Sequence, residues 1–136
     1  MKIAIDFDGT IVEHEFPKIG KPVPGAFEWM KKFQEAGADL ILWTMRSDGQ
    51  DVGNVLTEAV EFCREKGIEF FGINTNPEQK SWTDSPKAYA QCFIDDHAFN
   101  CPLIQPESGR AYVDWQVVGP AVLDKVKWYV QCKLMS

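Results

Sequence analysis

Lys2-Ile3-Ala4-Ile5-Asp6-Phe7-Asp8-Gly9-Thr10 runs from an apolar stretch straight into two carboxylates, a turn dipeptide and a hydroxyl. The apolar part is too short for a helix and reads as a strand, halted by Asp8-Gly9. Leu40-Ile41-Leu42-Trp43 is a second continuous apolar run, the mark of a strand covered on both faces. Glu69-Phe70-Phe71-Gly72-Ile73 and Gln91-Cys92-Phe93-Ile94 read as a third and a fourth strand. Between the first two, Phe27, Met30, Phe33 and Ala36 keep helical spacing until Gly37. Val52, Val55, Leu56, Ala59, Val60 and Cys63 trace a second helical stripe that ends at Gly67. A last helix is expected over about 119–133, with Val122, Val126, Tyr129 and Val130 on one side. Strand–helix alternation of this kind predicts an α/β fold with right-handed crossovers and a parallel, doubly wound sheet. Residues 74–86 lack apolar periodicity and are expected to form a mobile loop.

In such sheets ligands sit beyond the carboxyl ends of the strands. After the first strand come Asp6, Asp8, Gly9 and Thr10; after the second, Thr44, Met45 and Arg46; after the fourth, Asp95 and Asp96. Carboxylates gathered in one pocket repel one another, so protons or a cation must neutralise some of them. The donors are oxygens, which select magnesium or a similar hard ion over zinc or copper. Such a pocket suits phosphoryl transfer, where positioning and charge neutralisation do most of the catalysis. His14 and His97 read as polar surface or loop residues rather than ligands, and the tryptophans as core or groove packing, Trp82 in the polar loop excepted.

Composition bounds the remaining choices. The chain has 136 residues, 45% hydrophobic and 25% charged, enough to build a core without a metal or disulfide staple. Twenty acids against fourteen bases give a net charge of −6, which argues against a nucleic-acid partner. Four of those acids are Asp6, Asp8, Asp95 and Asp96, and the rest nearly balance the bases. The four cysteines form no C-x-x-C pair and are expected to be reduced thiols of a cytoplasmic protein. No apolar run approaches the length of a membrane span or a signal peptide.

Asp6-Phe7-Asp8-Gly9-Thr10 resembles the first motif, D-x-D-G-T, of the haloacid dehalogenase superfamily of phosphatases. Thr44, closing an apolar strand, is similar to the second motif, and Asp95-Asp96 after Phe93-Ile94 to the fourth. The third is a single lysine, a place that Lys87 or Lys80 can fill, with Lys87 favoured. The resemblance covers roughly residues 2–97. It implies a magnesium-dependent phosphatase in which Asp6 is the nucleophile that forms an aspartyl-phosphate, while Asp8 is the acid and base. Thr44 and Lys87 would bind the phosphoryl group, and Gly9, Thr10, Met45 and Arg46 would face the substrate. The Asp6 carboxylate, the Asp8 carbonyl and Asp95 would hold Mg2+, with Asp96 as an additional acid.

The whole implies one doubly wound, three-layer α/β/α Rossmann-like domain over 1–136, with a mainly parallel central sheet. The superfamily commonly carries a cap domain, but only 33 residues separate Thr10 from Thr44, and 42 separate Thr44 from Lys87. Neither gap holds a cap. An open site admits a macromolecular end, or a small phosphorylated metabolite such as a nucleotide or sugar phosphate under a roof lent by a second subunit. The acidic balance favours the small substrate. A non-hydrolytic phosphoacceptor or phosphoryl-sensing module is the alternative, but a receiver's acceptor Asp follows its third strand, where this chain has Asn74. Residues of about 99–136 match no motif and read as a hairpin and a packing helix of the same domain.

Overall fold

The apolar runs assemble side by side in a computed structural model that describes residues 1–136. β1 (Lys2–Ile5) lies between β2 (Asp39–Leu42) and β4 (Cys92–Ile94), and β3 (Gly72–Ile73) extends the sheet beyond β2. All pairings are parallel, in the order β3-β2-β1-β4, with Ile5 opposite both Leu42 and Ile94. Ile3, Ala4 and Ile5, like Leu40, Ile41 and Leu42, are buried whichever way they point, so an uninterrupted apolar run was required of both strands.

Side chains of alternate parity leave the sheet on opposite faces. Ile3, Ile5, Leu40 and Leu42 share one core with α1 (Ala26–Glu35), α2 (Val55–Glu65) and α3 (Trp115–Met135). Thus all three helices bury residues in the core on one side. Lys2, Ala4 and Phe93 point to the other, and there the chain from 74 to 91 crosses with one 3-10 turn, Gln79–Ser81, and no α-helix. Glu78 comes within 3.7 Å of Lys2, and the Lys87 ammonium lies 6.0 Å from the centre of the Phe93 ring. Pro77, Pro86 and the lack of an apolar stripe explain why no helix forms.

The crossover expected to be a mobile loop is instead stitched from within. Buried Gln79 donates to the carbonyls of Ser85 and Lys87, at 3.1 and 2.9 Å, and accepts the N–H of Tyr89 at 2.7 Å. Buried Asn76 donates to the Tyr89 carbonyl at 2.9 Å. Two side-chain amides thereby satisfy backbone groups that a helix would have paired internally.

The C-terminal part joins the same core. β5 (Leu103–Ile104) and β6 (Tyr112–Val113) form the expected hairpin, and Val113, Trp115, Val118, Val122 and Val126 are buried with the sheet residues. α3 starts four residues before the expected 119, because the Asp114 carboxylate accepts the Gln116 N–H at 3.1 Å and caps it there. No helix is long and apolar enough to cross a membrane. Where α3 packs on α1, a Cβ on Gly119 would overlap the Trp29 ring. Gly119→Ala is therefore expected to cost about 1–3 kcal/mol through overpacking; a chemical denaturation midpoint equal to wild type would contradict this contact.

Candidate functional site

The chain leaves β1 toward β2 and β3 on one side and returns to β4 on the other. The carboxyl ends of β1 and β4 therefore flank the point where the winding reverses, the usual ligand crevice of parallel sheets. Asp6 and Asp95 follow those ends directly. Two adjoining cavities of about 310 Å³ each open here, and both are lined by Asp6, Thr44, Met45 and Asp95. A larger cavity of about 510 Å³ lies elsewhere, between the start of β1 and the end of α3, and holds none of these acids.

A tight turn presents the first cluster. The N–H groups of Thr10, Ile11 and Val12 all point to the Phe7 carbonyl, and buried Phe7, Ile11 and Val12 anchor the loop. The indole of Trp115 donates to the Thr10 carbonyl at 2.8 Å, and the Val113 N–H to the Gly9 carbonyl at 3.0 Å. The motif-free tail thus braces the site loop. Gly9 sits at φ 85°, and a Cβ there would overlap Nε2 of His14 and Oδ2 of Asp96.

The carboxylates of Asp6, Asp95 and Asp96 each bring one oxygen within 4.8 Å of the others. Thr10 links two of them, Asp6 and Asp96: its hydroxyl donates to Asp6 at 3.0 Å, lies 3.5 Å from Oδ1 of Asp96, and accepts the Asp96 N–H at 3.1 Å. Burial, and then the charge of Asp95, push the Asp6 carboxyl up to about 8. Burial also disfavours the charge on Asp96, but the hydrogen bond of His14 leads the opposing contributions and holds that carboxyl below its ordinary value. One acid of the cluster is thus kept from ionising for want of positive charge. All of its donors are oxygens, the set a hard divalent cation takes.

Asp8 and Arg46 form a separate unit. Arg46 is 2% exposed, and its Nε and Nη2 donate to the two carboxylate oxygens of Asp8, both at 2.8 Å. The remaining donors reach the carbonyls of Lys18 at 2.8 Å, Val55 at 3.1 Å and Pro17 at 3.3 Å. The guanidinium carbon lies 4.9 and 5.1 Å from the ring centres of Phe7 and Phe16. All five guanidinium donors are committed within the protein. Arg46, expected to face the substrate, is instead committed to a buried ion pair with Asp8.

The other expected residues divide. Thr44 lines both cavities; its hydroxyl accepts the Arg46 N–H at 3.1 Å and its own N–H donates to Asn74 at 2.7 Å. Met45 stands at the rim, 97% exposed. Lys87 and Lys80 line neither cavity, and Lys87 lies on the far face against Phe93. Several lining residues were missed by the sequence reading: His14, Phe16, Asn74, His97 and Arg110. Of these, Asn74 carried a signal in directly following the third apolar run; in the fold it adopts φ 54°, a left-handed conformation in which Asn is enriched among non-glycine residues. Arg110 is exposed and makes no ion pair or side-chain hydrogen bond, so it is the free guanidinium of the site.

Fold and site together define an α/β protein with an oxygen-rich acidic cluster at the carboxyl edge of a parallel sheet. A conserved protein coded by a locus of Bacteroides thetaiotaomicron has a solved structure that is 39% identical to this chain, with a TM-score of 0.72. The match covers 92% of this chain and 91% of that one, and the chain belongs to the same family as that conserved protein. No protein-family model and no curated protein matches the chain.

Proposed function

We propose that this protein is a magnesium-dependent phosphomonoesterase of the haloacid dehalogenase type, acting on a small phosphorylated metabolite such as a nucleotide or sugar phosphate. The observation that carries the reading is the convergence of Asp6, Asp95 and Asp96 at the carboxyl ends of β1 and β4, where the winding reverses. On this reading the domain is doubly wound and Rossmann-like, capless, with its second helical layer reduced to the 74–91 crossover.

The donor set fits a hard divalent cation, and Asp6, Asp95 and the Asp8 main-chain carbonyl would hold it, with Asp96 alongside. When bound, the ion supplies the positive charge that lets a carboxylate approach a phosphate dianion. An Asp6 oxygen then bonds to phosphorus as the bond to the leaving oxygen breaks, and Asp8 gives that oxygen its proton. In the second half Asp8 takes a proton from water, the water oxygen bonds to phosphorus, and Asp6 is released. Arg46 donates one hydrogen bond to each Asp8 oxygen, so each proton transfer would use the remaining lone pair of a carboxyl group that the guanidinium holds in place.

Phosphate release from a panel of phosphorylated metabolites, with magnesium and with chelator, tests the reaction. Magnesium-dependent release from at least one of them is expected; none from any, including an activated aryl phosphate, would overturn the reading. Phosphate retained on Asp6 without turnover would support the phosphoacceptor alternative. The same assay locates the cation that meets the phosphoryl group. Arg110→Ala is expected to cost about tenfold in kcat/KM, and Lys80→Ala less than about threefold. A Lys87→Ala loss larger than that of Arg110→Ala would assign the role to Lys87 and require the crossover to move toward the site.

A further inference from the structure

We infer that His14, Asp96 and His97 form a second divalent-cation site, one that selects zinc-class transition ions, directly beside the oxygen cluster. Nε2 of His14 lies 2.9 Å from Oδ2 of Asp96, and Nε2 of His97 lies 3.6 Å from the same oxygen. One ligand atom from each of the three residues falls within 4.8 Å of the other two. Zinc bonds of about 2.0–2.1 Å at a tetrahedral angle put neighbouring ligand atoms about 3.3–3.4 Å apart. The observed spacings bracket that value, so adjustment of side-chain torsions suffices.

The site is built as well as close. The His14 and Asp96 side chains are 11% and 5% exposed, which fixes two ligands before an ion arrives. The two imidazole rings lie with centres 6.3 Å apart and planes 20° off parallel, and each brings its Nε2 within 3.6 Å of the same Asp96 oxygen. Gly9 leaves the space that the His14–Asp96 pair occupies. His97 is 74% exposed and free to close on an ion as the third ligand, leaving a fourth position to water.

Two imidazole nitrogens and one carboxylate are a donor set for zinc, cobalt, nickel or copper, in contrast to the neighbouring all-oxygen set. The two oxygens of Asp96 face different ways: Oδ1 toward Thr10, and Oδ2 toward the histidines. A zinc ion on Oδ2 would therefore draw charge from a carboxylate of the oxygen cluster, and zinc would weaken that cluster's hold on magnesium. The binding site stands without the phosphatase reading; this coupling to turnover rests on it.

The test uses Co2+ as the probe on the untagged full chain, because cobalt bound by imidazole in four- or five-coordination absorbs far more strongly in the visible than the hydrated ion. Wild type is expected to develop that band with one equivalent of Co2+ and to lose it to Zn2+ but not to a large excess of Mg2+. His97→Ala, at an exposed position that cannot endanger folding, is expected to weaken Co2+ binding at least tenfold, and His14→Gln likewise. Asp95→Asn, outside the triad, should keep the band. No band in wild type, or a band lost in Asp95→Asn but retained in His97→Ala, would overturn the inference. Phosphate release, if detected, should fall on adding Zn2+ to wild type and fall less in His97→Ala, each measured against its own zinc-free rate. The cobalt spectrum needs no turnover, so absence of phosphatase activity leaves the metal site separately decided.

Discussion

Asp6→Asn is expected to abolish phosphate release, by at least about a thousandfold, and at the same time to stabilise the metal-free protein. The first effect follows from removing the proposed nucleophile, which an amide of the same shape cannot replace. The second follows from the electrostatics. The Asp6 carboxyl is pushed up to about 8 by burial and by Asp95, so the folded protein holds a proton that the unfolded chain has already released. Stability from this group is complete below pH 4 and falls as pH rises through the window from about 4 to 8. Asp96, whose carboxyl is held below its ordinary value, acts in the opposite sense and loses its contribution as pH falls. The difference between wild type and Asp6→Asn reports Asp6 together with its coupling to Asp96.

That difference should grow from near zero at pH 4 to on the order of 3 kcal/mol in favour of the variant at pH 8, without metal. Magnesium should raise the melting temperature of wild type and much less that of Asp6→Asn, since a bound ion stabilises the state that holds it. Melting curves at several pH values, with magnesium and with chelator, measure both. A pH-independent difference would show that the acidic cluster carries no excess of negative charge. A folded variant that still releases phosphate would refute the nucleophile.

Arg46→Ala is expected to be the most destabilising single truncation near the site. It deletes a guanidinium that is 2% exposed, leaves the Asp8 carboxylate without its partner, and orphans the carbonyls of Pro17, Lys18 and Val55. Removing one member of such a pair costs about 3–5 kcal/mol, chiefly because the other charge stays behind in poor solvation. For a domain of this size the melting temperature should drop by about 10–20 °C. Arg46→Lys keeps the charge but not the planar fork, and should recover less than half of the loss. Full recovery by lysine would mean that charge alone holds Asp8. A variant as stable as wild type would mean that the 13–21 loop does not depend on this anchor.

The comparison of Arg46 with Asp6 shows where the sequence was readable. Asp6, Asp95 and Thr44 each follow an apolar run, and any parallel arrangement of those runs delivers them to one edge. Arg46 follows a strand in the same way, yet its direction depends on Asp8, on the carbonyls of two loops and on the rings of Phe7 and Phe16, contacts that span the chain from Phe7 to Val55. Lys87 stands before the fourth strand in the sequence, but the crossover runs along the outer face of the sheet and carries its side chain to Phe93. His14 and His97 lie 83 positions apart, and no local pattern joins them; the turn at Gly9 and the edge of β4 do.

The sequence by itself determined the parallel α/β sheet, because continuous apolar runs separated by helical stripes admit few other arrangements. It also determined that carboxylates gather at the sheet's carboxyl edge, because strand polarity alone places them there. Tertiary structure alone decided which side chains remain free at that edge. Arg46 is consumed by Asp8 and three carbonyls, Arg110 is left open, and Asp96 turns one oxygen to Thr10 and the other to two histidines. The physical reason is range. Strand polarity and apolar periodicity are local properties of the chain, whereas hydrogen-bond saturation and charge balance depend on every segment that arrives in the same place.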